Sequence, residues 1–539
     1  MTTILSPPDP NPLLAELMPV LNPAFPTYGE LLQKASYHTP YFRKWHVSIP
    51  QQSTGGLQAY GFEDYSTYPD PTGSNLQGTY GSDFVQNPPP SQTFLSDVDT
   101  ANVAVKFLQD RKPDDSPWCM TVGFVNPHDK EFFPAGTEYQ TVKDLFQNPL
   151  LNPTGLGQFT PYADKPPGNQ VPWDKNELKS PRSYGYPELP PNWESTQDLI
   201  DRKKPTTQIF TKEFQQGEWG GVTDDPSKNT PADRYIEEYP VPEIQKGVVK
   251  MEFTYWQRAL DSYTQIMGVV DKQIGRVIDA LESLPSSIKE NTVVVFASDH
   301  GEYAGAHGLV QGKVGTLYEE AWRIPLIVVD PSERFTADID TIRMGLASSV
   351  DLLGMLVGIG NLGTRDWMTS YLPEIYGSRL DMISMLRSAY APGRPYLLHT
   401  TDEVSPNFFN WMNLPGHVLG IRTEAGKLGV YSDWFPATSV INRRSAQFEY
   451  YDYSTESGRL ELDNTVEDNH RARMLYRLLL HEIIPNELQK PLPPPLRFQQ
   501  EKSKAAHLIY RAVIANLPIS VYEDMGKDLS AITGWGAEF

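Results

Sequence analysis

The stretch Asn291–Pro331, NTVVVFASDHGEYAGAHGLVQGKVGTLYEEAWRIPLIVVDP, decides how the rest of the chain is read. Thr292 to Ala297 is a β-branched and aromatic run, too short for a helix and apolar on both faces, which predicts a buried parallel strand. The run stops at Ser298-Asp299-His300-Gly301-Glu302. A carboxylate and an imidazole at the carboxyl end of such a strand, followed by a glycine that frees the backbone to turn, occupy the position where open α/β sheets place their ligands. A Gly-rich loop with His307 and Lys313 follows, then Tyr318-Glu319-Glu320 and a second apolar run, Leu326 to Val329. One loop between two strands thus carries an acid, two imidazoles and an ammonium, a plausible metal and oxyanion site.

Two further segments end in the same way. Tyr28 to Ala35 reads as a short helix and Tyr37 to Phe42 as a strand, after which come Arg43-Lys44-Trp45-His46. Lys44 and His46 are two apart, so in extended chain they face one side. Trp118 to Val125, WCMTVGFV, is another buried strand, and Asn126-Pro127-His128-Asp129 follows it. Between these segments Ser96 to Leu108 has an apolar pattern consistent with a helix packed on the sheet.

Together these residues closely resemble the sulfatase family of the alkaline-phosphatase superfamily. Its members carry S-D-[HN]-G-E, then H-G, then G-K, then Y-E-E-x-x-R-x-P, in the order found from Ser298 to Pro325. The Tyr28–His46 segment is similar to the family's T-L-x-E-x-L-K-x-A-G-Y-x-T-x-x-x-G-K-W-H, with Arg43 where Gly is usual, and Asn126-Pro127-His128 matches its F-V-x-P-H-x-P. The resemblance implies an α/β fold with a mostly parallel central sheet flanked by helices, alkaline-phosphatase-like, plus a small C-terminal antiparallel α+β subdomain. It implies Asp299 and His300 as metal ligands, Lys44 and His46 as catalytic residues beside the nucleophile, and His128 and Lys313 as groups that hold the sulfate and protonate the leaving oxygen. Lys44, His128 and Lys313 are then the substrate-binding set. One divalent ion is implied, Ca²⁺ by family, with Mn²⁺ or Zn²⁺ better suited to the imidazole of His300. That imidazole, where many sulfatases have Asn, also favours phosphonate or phosphodiester hydrolysis as the alternative chemistry.

Composition narrows the partners. Across 539 residues, 46 Lys and Arg stand against 67 Asp and Glu, a net charge of −21, so nucleic acid is not an expected partner and an anionic small molecule needs a local basic pocket. The expected substrate is a sulfate or phosphonate ester. The single cysteine, Cys119, excludes an intrachain disulfide, and no apolar window of about 18 residues suggests a membrane span. The first residues, MTTILSPPDPNPLLAEL, lack a basic start and an unbroken apolar core, so cytoplasmic residence is the expectation.

The remaining chain divides by composition. Residues 1–26 are a Pro-rich irregular arm, and 27–414 the sulfatase-type domain, interrupted at 143–245 by a polar, Pro-rich insertion over the site. Glu252 to Leu284 is the best amphipathic helix, and Ser348 to Ile359 reads as another helix that serves core packing. Val418 to Thr423 and Lys427 to Tyr431 flank Glu424-Ala425-Gly426 as a hairpin, Phe448 to Tyr453 adds a strand, and residues 415–484 form the C-terminal subdomain. Residues 485–539 are a Pro-rich linker and a terminal helix.

One part of the family pattern is missing. No C/S-x-P-S/A-R, the source of the formylglycine nucleophile, occurs in the sequence, and the adjacent pairs Asp114-Asp115 and Asp224-Asp225 lie in polar segments rather than after strands. The expectation is a chain truncated before the nucleophile segment, inactive alone and open to a complementing N-terminal chain, or else a noncatalytic anion-binding relative.

Overall fold

Thr27 starts the first helix: its hydroxyl accepts from Glu30 N at 3.1 Å, and the Lys34–Glu30 pair spans one turn at 2.6 Å. The computed structural model describes residues 21–45, 47, 56–64, 97–128, 186, 188–219, 221–233, 235–238, 247–310, 312–402, 415–435 and 440–516. In chain order the elements that matter here are α1 (Tyr28–Lys34), β1 (Tyr41–Arg43), α2 (Asp97–Gln109), β2 (Thr121–Gly123), α3 (Thr196–Asp201), α4 (Thr206–Trp219), β3 (Gly221–Val222), β4 (Tyr235–Glu238), β5 (Gly247–Met251), α5 (Tyr255–Glu282), β6 (Val294–Ala297), β7 (Leu326–Val329), α6 (Leu352–Gly360), β8 (Leu397–Asp402), β9 (His417–Thr423), β10 (Gly426–Trp434), β11 (Ile441–Asp452), α7 (His470–Leu478) and α8 (Pro494–Asn516). Helices and sheets alternate through the main body, in keeping with an α/β chain.

Among the described residues the strands form four sheets. β1 and β2 pair in parallel, with Tyr41 opposite Thr121. β3 and β4 flank β5, the first parallel and the second antiparallel to it. β6 pairs with β7, and here the sequence reading needs correction: the pairing is antiparallel, Val294 opposite Val329, and Phe296 is 36% exposed. An apolar run on both faces predicts cover on both sides, but it carries no information about the direction of its partner. Among the described residues β6 has no second neighbour, so its apolar side chains are partly uncovered. A continuous parallel central sheet is therefore not seen among them.

The two small ladders nonetheless share one core. Phe42 of β1 packs with Ala104, Phe107 and Leu108 of α2 and with Ala280 and Leu281 of α5, while Val122 and Val294 line the same cluster. Each fully buried side chain of this size contributes roughly 1.5–3 kcal/mol. This shared packing brings the carboxyl ends of β1 and β6 to one place.

The C-terminal sheet runs β11-β10-β9-β8, all antiparallel. The expected hairpin is present, with Gly426 opposite Thr423, and its core is Leu419, Ile421, Leu428, Val430 and Tyr450 against Ala472 and Leu479. β8 begins before the expected boundary at 415, because its polar half, His399-Thr400-Thr401-Asp402, hides the strand from a hydropathy reading. Residues 188–219, read as part of a loop-like insertion, instead form α3 and α4 and bury Glu194, Thr207, Gln208, Thr211 and Lys212. The arm over residues 1–20 and the segment 131–185 lie outside the described residues.

Candidate active site

The ends of β1, β2 and β6 converge. Lys44 N donates to Gly123 O at 3.3 Å, which holds the tip of β1 against that of β2. Arg43, just before it, takes φ 77°, the left-handed geometry for which Gly is suited. Arginine there costs roughly 1–2 kcal/mol, yet the turn is kept. From it the Lys44 ammonium reaches Asp299 Oδ2 at 3.3 Å, across 255 positions of sequence. Gly301 is required where it stands: a Cβ would lie 1.8 Å from Glu320 O, because Gly301 N donates to Ala321 O as the two chain segments pass.

Asp299 and His300 are held as a unit. His300 N donates to Asp299 Oδ1 at 3.0 Å. His300 Nδ1 donates to the Gly301 carbonyl at 2.8 Å, which fixes the proton on that nitrogen and leaves Nε2 with its lone pair 3.6 Å from Asp299 Oδ2. Burial alone would raise the Asp299 carboxyl, but Lys44, His300 and Lys313 hold it well below the usual carboxylate range. Burial, joined by the Lys313 charge, pushes His300 down to about 4 against the opposing pull of Asp299. A neutral imidazole nitrogen and an ionised carboxylate oxygen, turned toward each other with the second imidazole nitrogen anchored to a carbonyl, fit two ligands of a divalent cation.

Lys44, Asp299, His300 and Lys313 are thus one electrostatic cluster. His128 stands on the adjoining turn after β2, where His128 N donates to Val125 O at 3.2 Å. His46 lies outside the described residues. His307, the other imidazole of the loop, is not in this cluster. It has φ 53°, is fully buried, and stacks on Tyr318 with centroids 3.5 Å apart.

His307 belongs instead to an ion-pair network that the sequence reading missed. Its Nδ1 donates to Glu194 Oε2 at 2.7 Å, and Nε2 is 3.4 Å from Glu320 Oε2. Asn192 Nδ2 donates to Glu320 Oε1 at 2.6 Å. Ligand-type atoms of His307, Glu320 and Glu461 come within 4.8 Å of one another. Glu461, however, already binds Lys427 Nζ at 2.5 Å, Tyr453 Oη at 2.7 Å and Glu319 N at 2.8 Å, so this trio is an internally compensated clamp. Lys204, buried, donates to Tyr451 Oη at 2.8 Å and Glu461 O at 2.6 Å, which joins the 188–219 segment to the C-terminal sheet. Asp224 is likewise structural, pairing with buried Lys212 at 2.8 Å. Buried polar residues leave no mark in a hydropathy pattern; the only sequence signal was the Y-E-E run itself.

A model of the sulfatase family matches residues 7–361, and the chain belongs to that family. It is similar to an N-acetylglucosamine-6-O-sulfatase of Bacteroides thetaiotaomicron, 26% identical over 310 residues, 57% of this chain and 49% of the relative. An uncharacterized sulfatase of Escherichia coli is 42% identical over 94 residues, 17% of each chain. Among solved structures, a phosphonate monoester hydrolase of Silicibacter pomeroyi aligns with 17% identity and a TM-score of 0.48, covering 87% of this chain and 84% of the other. The chain spans about half the length of the first of these relatives.

Proposed function

We propose that the cluster at the ends of β1, β2 and β6 binds the sulfuryl group of a sulfate ester in a sulfatase-type hydrolysis. The observation that carries this reading is the Lys44–Asp299 pair at 3.3 Å, with the Lys313 charge acting on the same carboxylate. In the proposed roles Lys44 and Lys313 face the equatorial oxygens, and His128 hydrogen-bonds the ester and supplies a proton to the departing alkoxide. Asp299 and His300 would hold the divalent ion, which when bound adds positive charge against the anion. Family membership supports this assignment.

The nucleophile is the missing piece. None of the 539 residues forms the C/S-x-P-S/A-R pattern, so this stretch of chain is proposed to bind the anion and to need, for turnover, a nucleophile that these residues do not supply. The same donor set accepts a phosphonate ester, and the imidazole of His300 as a ligand favours that second reading. Calorimetric titration with inorganic sulfate and with phenylphosphonate, with Ca²⁺ or Mn²⁺ present, tests both alongside 4-nitrophenyl sulfate hydrolysis. Sulfate binding without turnover is expected. Absence of binding to either anion refutes the site, and hydrolysis by this chain alone refutes the need for an external nucleophile.

A further inference from the structure

Asp97 is the first residue of α2 and fully buried, yet both of its oxygens point away from its own helix. Oδ1 accepts from Val125 N at 2.8 Å; Oδ2 accepts from Asn126 N at 3.1 Å and from Asn126 Nδ2 at 2.8 Å. Three donors from two consecutive residues thus converge on one carboxylate, and those residues lead straight into Pro127 and His128. A helix-start acid that served only its helix would accept from the helix's own first amides. Here the acceptors are committed to the tip of β2, immediately before the proposed sulfate-binding imidazole.

The rest of α2 makes this anchor stiff. Ala104, Phe107 and Leu108 lock the helix into the core shared with Phe42 of β1 and with α5, so the carboxylate is fixed relative to the strand that carries Lys44. Buried charge-assisted bonds of this kind are short and directional, and losing them lets the turn relax.

We propose that Asp97 is a positioning residue for His128: it clamps the Val125–Asn126 backbone so that the imidazole that follows is presented to the anion beside Lys44. The inference rests on the sulfate-site reading but is separable from it. Asp97 touches no substrate; its effect passes entirely through His128. Replacing it with Asn puts an amide N–H against donors that need an acceptor, which frees the turn while keeping the size of the side chain.

The test is a double-mutant cycle on the full chain, reading the affinity for inorganic sulfate with Ca²⁺ or Mn²⁺ present and the unfolding midpoint. His128→Ala and Asp97→Asn should each weaken sulfate by roughly tenfold, the loss of about one charge-assisted hydrogen bond. The double variant should be no weaker than His128→Ala alone. Asn126→Ala, which removes only one of the three donors, should give a smaller loss, also abolished in the His128→Ala background; it carries the test if Asp97→Asn does not fold. Additive losses, or wild-type affinity in a folded Asp97→Asn chain whose His128→Ala counterpart is weakened, overturn the positioning role. Wild-type affinity in His128→Ala overturns the sulfate reading of that imidazole and the inference with it.

Discussion

Replacing Lys427 with Met should leave the fold short of one buried positive charge and make its stability fall with rising pH. Lys427 is 4% exposed and its ammonium lies 2.5 Å from Glu461 Oε1 and 3.6 Å from Glu319 Oε1, while also donating to the Leu317 carbonyl. Glu461 is 1% exposed. Removing one partner of such a pair strands the other charge and costs about 3–5 kcal/mol, more than replacing both would. The pH dependence follows from Glu461, whose carboxyl is already pushed above its ordinary value by burial, with Lys427 the main opposing influence. Without Lys427 it rises further. The folded state then keeps a proton that the unfolded chain releases above about pH 4.5, so stability is retained in acid and lost as pH climbs toward the raised folded value. Urea unfolding followed by circular dichroism at about pH 5 and about pH 8 reads the difference; the deficit of Lys427→Met should be clearly larger at the higher pH. Adding Glu461→Gln should recover a substantial part of it. A loss under about 1 kcal/mol, or an equal loss at both pH values, refutes the reasoning.

Three further outcomes are expected. Gly308→Ala should cost about 2–4 kcal/mol, since Gly308 has φ +66° and a Cβ would lie 2.0 Å from Glu194 O; a denaturation midpoint matching wild type would contradict the packing described. Burial lowers the His307 imidazole, but Glu194 and Glu320 outweigh it and hold it above its usual value. Its stabilisation is therefore full below about pH 6.5 and declines as pH rises through the folded value, and His307→Gln should flatten that limb in unfolding midpoints measured from about pH 6 to 9. Lys44→Met should weaken inorganic sulfate at least about tenfold with little change in melting, because a partly exposed ion pair contributes little to stability whereas the ammonium faces the anion directly; unchanged sulfate affinity removes Lys44 from the site.

The order of motifs from Ser298 to Pro325 made the family legible in the sequence, and the Tyr28–His46 segment added Lys44 to the same expected site, because strand-end chemistry survives in linear sequence. What linear spacing does not encode is the side of a loop on which a residue emerges. His307 sits on the loop that carries Lys313, but its left-handed φ, next to Gly305 and Gly308 with positive φ of their own, turns the ring inward to Glu194. The direction of β7 was hidden for a related reason: a buried-looking run such as Leu326-Ile327-Val328-Val329 fits either direction. Residues 188–219 were opaque because their burial is polar, through Glu194, Lys204 and Lys212, and polarity reads as surface. Asp97 was hidden among ordinary helix-start acids.

The two halves of the 299–320 loop do different physical work, and their charge balance explains why. On the inner face the acids Glu194, Glu319, Glu320, Glu449 and Glu461 are interleaved with the basic groups Arg202, Lys204, His307, Arg422 and Lys427, so the charges of the clamp are compensated locally. On the outer face Lys44 and Lys313 act on the carboxylate of Asp299, Lys44 acts also on that of buried Asp97, and His300 is held low. Among the described residues these four charges cancel, in a chain whose total is −21. A sulfate ester, a monoanion, and inorganic sulfate, a dianion, both gain little from a site with no net charge. A divalent cation between Asp299 and His300 would turn the same residues into a site of net charge near +2, so anion affinity and metal affinity are expected to be thermodynamically linked. Glu302 accepts from Gly312 N at 2.5 Å, which ties the backbone beside Lys313 to the segment that carries Asp299 and His300.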